Sequence, residues 1–394
     1  MKLLYLVDRR YPTTHAFLET VYTKIFPRRG HQIYWIMRTR QNKKFCEVRR
    51  WNNSIVLSFS LPDDKKVLST HIFNIKTALT AFILMRRVQP NIAQVRNWTW
   101  GAFIACCLRI SNRIPFVYQY SFPRHLILSE NIKNEKSKLK VRSVFELFWL
   151  KRLIRRADLI FPISKTMKNN MVKDGYKKNI LIPIGLAFDS DINVEKIDNR
   201  KIIEHYNLKD KNVVLYFGVM DKKRELEFLL DVWSMVCNQL SDCLLLMVGG
   251  SDKDISRLKK YSEQLRIFEY VIFTGSVNRE RIPSFIKSAK LTVSPIPPKD
   301  VYNVSSVTKV YESLGCGCPV IGNALPEQGR LIRESGGGIC VDYEKNEFSK
   351  AIIHLLRNTE LTNKMGIKGK EYILNNRTYE HMADAIESAY NNLN

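Results

Sequence analysis

The sequence predicts an α/β protein made of two domains. Apolar runs of strand length, such as Lys2–Asp8, Pro115–Tyr120 and Val213–Phe217, recur along the chain, and segments of helical periodicity separate them. Strands that alternate with helices in this way favour sheets covered by helices. A chain of 394 residues is also long enough for two hydrophobic cores.

Composition narrows the class of protein further. The apolar fraction of 45% is ordinary for a globular protein, and no apolar run approaches the ~20 residues of a membrane span. The N-terminus becomes charged too early for a signal peptide. The eight cysteines show no C-x-x-C spacing, so we expect free thiols and no zinc site. These features predict a cytoplasmic protein, which could work at the inner face of the membrane.

The net charge of +25 is concentrated in the first half of the chain. Residues 1–190 contain 35 Lys/Arg and 11 Asp/Glu, a net +24, whereas residues 191–394 contain 28 and 27, a net +1. The asymmetry indicates a polyanionic partner for the first half, and anionic lipid, nucleic acid or an acidic polysaccharide would each qualify. Because no nucleic-acid-binding motif is visible, we expect no nucleic-acid partner.

A basic stretch within the first half, residues 133–156, is open to two interpretations. Aromatic and apolar residues stand between two groups of cations; the stretch contains Lys133, Lys136, Lys138, Lys140, Arg142, Phe145, Phe148, Trp149, Lys151, Arg152, Arg155 and Arg156. Such a helix could lie at the surface of an anionic membrane. It could equally be a core helix with a basic outer face.

Two features of the first half bear on ligand binding. Tyr120 ends a predicted strand, and doubly wound sheets place ligands at the carboxyl ends of their strands, so Tyr120 is a candidate acceptor contact. The first strand is not followed by G-x-G-x-x-G, which argues against a dinucleotide dehydrogenase.

The stretch 291–342 carries the strongest functional signal. Leu291–Ile296 reads as a buried strand that two prolines end. We predict a helix over residues 306–314, with Ser305 as its N-cap and Gly315 as its left-handed C-terminal residue.

Helical spacing gives this predicted helix two different faces. The apolar face, expected to pack on a sheet, consists of Val307, Val310, Tyr311 and Leu314, and the polar face of Ser305, Thr308, Lys309 and Glu312. A phosphate at the helix N-terminus would meet free N–H groups and Lys309, and Glu312 could accept hydrogen bonds from ribose hydroxyls. The alternative is an ordinary amphipathic helix with a solvated polar face.

At this point the chain resembles a known family. The segment SSVTKVYESLGCGCPVI, followed by PEQGRLIRESGGGICVD, is similar to the donor-binding signature of retaining glycosyltransferases of family 4, S-x-x-K-x-x-E-x-x-x-x-G-x-P-V. The matching positions are Ser306, Lys309, Glu312, Gly317, Pro319 and Val320. Many members carry a further glutamate at the position of Val304, and its sugar contact is not carried over. The resemblance implies the GT-B fold, in which two Rossmann-like domains face a cleft.

The resemblance also implies roles for residues outside the signature. YFGVMDKKRELEFLLDVW is similar to the family's diphosphate clamp, which includes Gly218; Arg224 takes the usual lysine position, and Val219 stands where many members have arginine. The loop expected to border the nucleotide base supplies Gly275, Ser276 and Val277. The loop expected to face the cleft supplies Thr13, Thr14 and His15. For His15 the alternative is that it only caps or covers the start of a helix.

The same resemblance divides the chain into segments. Residues 1–190 would form the acceptor-binding domain, 191–210 a linker and 211–375 the nucleotide-sugar domain, while 376–394 would be a helix that crosses back to the first domain.

We therefore expect a retaining glycosyltransferase that moves a hexose-type sugar from a UDP- or GDP-sugar to a glycan or lipid-linked acceptor. Arg224 and Lys309 would stabilise charge on the leaving phosphate. Because no D-x-D motif is present, no metal or other cofactor is predicted. The alternatives are a nucleotide-sugar epimerase or phosphorylase on the same fold, and a noncatalytic polyanion-binding protein.

Overall fold

The chain forms two compact units, each built on its own sheet. Unit 1 comprises Met1–Gly185 and Tyr379–Asn394, and unit 2 comprises Leu186–Thr378. The structure, a computed structural model, describes residues 1–13, 15–39, 44–60, 67–134 and 138–393. The predicted α/β class with two Rossmann-like domains is confirmed, since helices accompany a largely parallel sheet in each unit.

Unit 1 contains a seven-stranded sheet. Its strands are β1 (Lys2–Arg10), β2 (Gln32–Thr39), β3 (Cys46–Trp51), β4 (Ser54–Ser60), β5 (Ile92–Arg96), β6 (Phe116–Tyr120) and β7 (Leu159–Pro162). Their order is β3-β4-β2-β1-β5-β6-β7, and only β3 pairs in antiparallel fashion, with β4. The chain leaves β1 in one direction and later resumes at β5 in the other, so the order reverses between β1 and β5. In open parallel sheets, such a reversal is where ligands bind, beyond the carboxyl ends of the strands.

The helices of unit 1 follow from these connections. They are α1 (Ala16–Glu19), α2 (Phe26–Arg28), α3 (Val67–Val88), α4 (Thr99–Asn112), α5 (Arg124–Asn134), α6 (Lys138–Ile154) and α7 (Lys165–Lys173), with a π-helical turn, Thr20–Ile25, between α1 and α2. The connections from β4 to β5, β5 to β6 and β6 to β7 all advance in the same direction through the sheet. Because parallel crossovers are right-handed, they place α3, α4 and α6 on one face of the sheet. α4 packs against both α3 and α6.

Unit 2 contains a six-stranded parallel sheet. Its strands are β8 (Asn212–Phe217), β9 (Cys243–Val248), β10 (Val271–Gly275), β11 (Leu291–Ser294), β12 (Val320–Asn323) and β13 (Gly338–Val341), in the order β10-β9-β8-β11-β12-β13. The order reverses between β8 and β11, which predicts a ligand site beyond the carboxyl ends of these two strands.

The helices of unit 2 cover both faces of its sheet, and two apolar clusters fill the space between them. The helices are α8 (Arg200–His205), α9 (Glu227–Cys237), α10 (Asp252–Gln264), α11 (Ile282–Lys287), α12 (Asp300–Asn303), α13 (Thr308–Gly315), α14 (Pro326–Ser335), α15 (Lys345–Arg357) and α16 (Thr359–Asn376). Short 3-10 turns occur at Lys178–Ile180, which lies in unit 1, and at Val194–Lys196, Lys222–Arg224, Phe268–Tyr270 and Arg279–Arg281 in unit 2.

The last helix, α17 (Tyr379–Asn391), returns to unit 1. Arg29, after α2, forms ion pairs with Glu380, Asp384 and Glu387 on successive turns of α17. The buried Tyr390 of α17 packs against the ring of Phe26. The helix is therefore held by both charge and apolar contact.

The segment predicted as a linker, 191–210, belongs instead to the body of unit 2. Val194, Ile202 and Leu208 are buried in one of its apolar clusters. Their apolar positions are too widely spaced to give a periodic signal, because they lie on short turns and the six-residue helix α8. The chain passes from unit 1 to unit 2 between Gly185 and Leu186.

The signature helix, α13, differs from its prediction at both ends. It begins at Thr308 with Val307 as N-cap, and Ser305 does not cap it, because the Ser305 hydroxyl donates back to the Val301 carbonyl oxygen at 2.6 Å. Gly315 is the last helical residue, and the left-handed residue that follows is Gly317, with φ +77°. A Cβ on Gly315 would lie 2.3 Å from the Phe188 ring, so close packing explains this glycine.

Candidate active site

Three glycines open the carboxyl edge of the unit 2 sheet. Gly218 follows β8, Gly249 follows β9 and Gly275 ends β10; their φ angles are +130°, +121° and +75°. A Cβ on Gly249 would lie 2.2 Å from the Gly218 carbonyl oxygen, so these backbones pack too closely for a side chain. The edge therefore presents backbone rather than side chains to a ligand.

Lys309, in the first turn of α13, lies at this edge. Its Nζ is 3.9 Å from the centre of the Tyr216 ring and would be 3.7 Å from a Cβ on Gly218. Burial lowers the pKa of Lys309 well below its ordinary value; Arg224 lowers it further, and Glu312 opposes both. Across the residues that the structure describes, Lys309 makes no ion pair. An anion placed here would satisfy a cation that the protein leaves unpaired.

Arg224 ends the 3-10 turn that follows β8. Its guanidinium carbon lies 4.7 Å from the centre of the Tyr302 ring, and its charge is felt by both Lys309 and Tyr216. The two cations predicted to stabilise a leaving phosphate thus lie within electrostatic reach of each other. Two neighbouring basic side chains, neither of them in an ion pair with a described residue, favour binding of a diphosphate, which carries more than one negative charge.

Glu312, one turn after Lys309, is engaged by a residue that the sequence did not reveal. Arg279 Nη2 donates to Glu312 Oε1 at 2.9 Å, and the Glu312 side chain is 17% exposed. Burial raises the pKa of Glu312, while Arg279 and Lys309 hold it down. A sugar hydroxyl that donates to Glu312 would lie next to Arg279 as well.

The two serines of the signature form hydrogen bonds with nearby backbone groups. Ser306 Oγ accepts a hydrogen bond from the Leu186 backbone N–H at 3.1 Å, and Ser305 bonds back to the turn before it. Either serine could present a hydroxyl to a phosphate only by sharing or exchanging these bonds.

The loop after β10 lies beside the Gly249 turn. Gly249 N–H donates to the Gly275 carbonyl oxygen at 2.9 Å, and Ser276 Oγ donates to the Gly250 carbonyl oxygen at 2.9 Å. Val277 packs at the margin of an apolar cluster. These bonds fix the loop that was predicted to border the nucleotide base.

No group of three or more His, Cys, Asp or Glu within the described ranges is placed to hold a metal ion. The absence of a metal from the reaction stays a prediction.

In unit 1, the reversal between β1 and β5 is occupied by side chains. Arg96, the last residue of β5, is 5% exposed; its Nε donates to Ser121 Oγ at 2.8 Å, and its Nη2 bonds His15 Nε2 at 3.0 Å. Arg96 Nη1 is buried and has no hydrogen-bond partner within the described ranges, and burial lowers the pKa of Arg96 to about 10. No carboxylate among the described residues pairs with it. His15, a predicted candidate, is therefore brought together with an arginine that sequence reasoning missed.

Tyr120 is also paired at this edge. Its hydroxyl lies 2.6 Å from His125 Nδ1 and accepts from the His125 backbone N–H at 3.2 Å. Burial raises the pKa of Tyr120 and lowers that of His125, so both groups are neutral near pH 7. His125, five residues after Tyr120, was not among the candidates that the sequence suggested. Thr13 lies half-buried in the loop after β1, and Thr14 is outside the described residues.

Two family models match the chain in separate regions. Residues 23–187 match the model for Glycosyltransferase Family 4, and residues 198–372 match the model for Glycosyl transferases group 1. The first match lies almost wholly in unit 1 and the second within unit 2.

Curated relatives are similar over part of their length. The uncharacterized glycosyltransferase MJ1069 of Methanocaldococcus jannaschii is 22% identical over 68% of this chain and 65% of its own. The phosphatidyl-myo-inositol mannosyltransferase of Mycobacterium leprae is 25% identical over 46% of this chain and 47% of its own. The chain spans between a third and two thirds of the length of the curated relatives it matches.

Solved structures match the chain over its whole length. Sucrose-phosphate synthase from Thermosynechococcus elongatus has a TM-score of 0.77 at 15% identity, covering 100% of this chain and 99% of its own. HepE of Anabaena, solved in complex with UDP, has a TM-score of 0.71 at 17% identity, covering 100% of both chains. At these identities the likeness concerns the fold.

Proposed function

The chain belongs to the glycosyltransferases of the GT-B type, and from this premise we propose that it transfers a hexose-type sugar from a nucleotide diphosphate to an acceptor hydroxyl, with retention of anomeric configuration. The observation that carries the proposal is Lys309, which forms no ion pair with any described residue. It lies at the strand-order reversal of unit 2, beside the backbone of Gly218 and within electrostatic reach of Arg224.

The donor would bind with its diphosphate at Lys309 and Arg224 and its ribose at Glu312. UDP is the favoured nucleotide, because HepE, which shares the fold, was solved with UDP and with UDP-glucose. Gly275, Ser276 and Val277 would border the base through backbone contacts. Ser305 and Ser306 would shape the start of α13 beneath the phosphates.

In the transfer step, the bond between the sugar C1 and the diphosphate oxygen breaks, and the diphosphate keeps the electron pair. A bond forms between C1 and the acceptor oxygen, whose proton passes to the leaving phosphate oxygen. Attack from the side of the leaving group retains the configuration without a side-chain nucleophile. Lys309 and Arg224 would stabilise the charge that develops on the phosphate, an effect that is typically worth a factor of about 10² to 10³ in rate per donor.

The acceptor would be a glycan or a lipid-linked sugar that binds unit 1. Arg96 and His15, with Tyr120 and His125 nearby, offer hydrogen-bonding groups at the strand-order reversal of that unit. The mannosyltransferase among the relatives has a phosphatidylinositol acceptor by name. A lipid-linked acceptor would bring the protein to an anionic membrane, with residues 133–156 as the contact and the cytoplasmic face as its location.

The decisive experiment incubates the protein with UDP- and GDP-sugars and an extract of membrane lipids, in buffers with and without a chelator. We expect one donor to raise the melting temperature and to transfer its sugar in both buffers, with product NMR giving the same anomeric configuration as the donor. Loss of binding with chelator would refute the metal-free step, and an inverted product would refute retention. Conversion of the donor without any acceptor would favour an epimerase or a phosphorylase instead.

A further inference from the structure

Exposed apolar side chains are concentrated on one face of unit 1. Of the 18 large apolar residues that are exposed in the described part of the chain, 10 lie on α3, α4 and α6. These helices contain 53 of the 394 residues, so the concentration is far above an even spread. The ten residues are Ile75, Leu79, Ile83, Phe103, Ile110, Val141, Val144, Phe145, Phe148 and Trp149.

The spacing of these residues places them in rows along one side of each helix, and we call these rows apolar stripes. Ile75, Leu79 and Ile83 on α3 recur every four residues and are 51%, 60% and 61% exposed. On α6, Phe145 and Phe148 are 65% and 58% exposed. Because α4 packs between α3 and α6 on one side of the sheet, the stripes belong to a single surface, which we call the three-helix face.

The three-helix face is also strongly basic. In sequence, the three helices contain nine Lys/Arg and a single acidic residue, Glu146. That carboxylate is occupied by an ion pair with Arg124. At the ends of the helices, Arg86, Arg87 and Arg152 are exposed. Residues 135–137, within the basic stretch predicted from sequence, lie outside the described residues.

We infer that the three-helix face docks the protein on an anionic lipid bilayer, with its apolar stripes in the interface and its cations at the headgroups. None of the described helices has the length and apolarity to cross a bilayer. A second copy of the chain is a poorer occupant, because an isologous contact would bring the same cations face to face.

The sequence pointed only to residues 133–156 as a membrane contact and left open a core helix with a basic outer face. α6 does bury Leu150, Leu153 and Ile154 and packs on α4, as the core alternative expects. Its outer face, however, exposes Phe145 and Phe148 beside the cations, so that face is not simply basic. α3, which lies more than forty residues earlier in the chain, extends the surface well beyond α6. Lipid docking of this kind does not depend on sugar transfer, so it is measured without any nucleotide sugar.

The test is cosedimentation of the full chain with vesicles of phosphatidylcholine alone and with vesicles of equal parts phosphatidylcholine and phosphatidylglycerol. We expect binding to the anionic vesicles that weakens at about 0.5 M salt, where the Debye length is only about 4 Å. Failure to bind at low salt, or equal binding to both vesicles, would overturn the inference.

Paired variants locate the surface. Phe145→Ser with Phe148→Ser on α6, and separately Leu79→Ser with Ile83→Ser on α3, should each reduce the partition coefficient by about tenfold or more, because apolar area leaves the interface. The matched control is Ile367→Ser with Leu374→Ser on α16 of unit 2, which removes exposed apolar groups elsewhere and should leave binding unchanged.

Charge is tested in the same way. Arg86→Gln with Arg87→Gln should weaken binding to anionic vesicles, whereas Lys259→Gln with Lys260→Gln on α10 should not. If Phe145→Ser with Phe148→Ser on α6 weakens binding but the α3 variants do not, the lipid does not contact the whole three-helix face and the inference is refuted. If the protein forms a dimer that the α6 pair disrupts, the occupant is a second copy and the lipid inference fails.

Discussion

Each unit contains a point at which the strand order of its sheet reverses, but different groups lie at that point in the two units. In unit 2 the carboxyl ends of β8, β9 and β10 lead into glycines with positive φ, so the edge is open backbone with Lys309 beside it. In unit 1 the ends of β1 and β5 meet side chains, the buried Arg96 and the half-buried His15. One architecture thus provides a backbone edge in one unit and a side-chain edge in the other.

The difference is informative about ligands. A nucleotide diphosphate is the same in every donor of its class, and close backbone approach with a fixed cation suits a constant ligand. Acceptors vary, and hydrogen bonds from side chains can be changed one residue at a time. We therefore expect variants at the unit 2 edge to affect the donor and variants at the unit 1 edge to affect the acceptor.

The largest effect is expected from Lys309→Met. Loss of the cation that faces the leaving phosphate should lower kcat by about 10² to 10³-fold, the range seen when one preorganised donor is removed. The measurement is single-turnover transfer at saturating donor. Lys290→Met, at an exposed lysine before β11, is the control and should retain full activity. An unchanged kcat in folded Lys309→Met would remove Lys309 from the reaction.

A smaller effect is expected from Glu312→Ala. Loss of the ribose contact should weaken UDP or GDP binding by about 1.5–3 kcal/mol, as for hydrogen bonds to charged groups, while acceptor KM stays constant. Calorimetry measures the affinity, and Glu280→Ala, which changes an exposed acid next to Arg279, is the control. If Glu312→Ala binds normally in a folded protein, its pair with Arg279 is purely structural.

Arg96→Gln tests the unit 1 edge. Removing the buried guanidinium should raise acceptor KM by about tenfold, close to 1.4 kcal/mol, and leave donor affinity unchanged. Arg96→Lys, which keeps the charge, should recover part of the loss. Melting curves of the same variants separate this effect from unfolding. Equal losses of donor and acceptor binding would contradict the assignment of the donor to unit 2 and the acceptor to unit 1.

The smallest effect concerns pH. Burial, followed by Arg224, lowers the pKa of Lys309 in the free protein, whereas a bound diphosphate would raise it. Binding should therefore take up a proton between these two pKa values, and affinity should fall as pH rises through that window. Calorimetry in buffers of different ionisation enthalpy counts the proton. Lys309→Met should abolish the uptake, and uptake that persists in this variant would assign the proton to another group.

The fold was predictable where burial dictates the sequence. Inner strands such as β6 and β8 are almost wholly buried and mostly apolar, so the sequence shows them as apolar runs. The edge strand β3 was not predicted, because it pairs with one neighbour only and alternates charged residues, as in Glu47 and Arg49. Nothing local distinguishes such a segment from a polar loop.

The site was predictable only where its residues are close in sequence. Lys309 and Glu312 share one helix, so their spacing placed them on one face. Arg279 reaches Glu312 across a separation of 33 residues, and Arg96 reaches His15 across 81. Contacts of this kind come from the topology of the sheet, which brings strand ends together, and a single sequence carries no local trace of them.

The return of α17 to unit 1 affects how the protein can be divided. Unit 2 is one continuous stretch, Leu186–Thr378, so a gene fragment can encode it alone. A fragment that stops at Gly185 would lack α17, leaving Arg29 without three carboxylates and exposing the aromatic rings that Tyr390 covers. Joining Gly185 to Tyr379 through a short linker would restore the missing helix. Each half could then be produced as a separate reagent, one to capture donors and the other to capture acceptors.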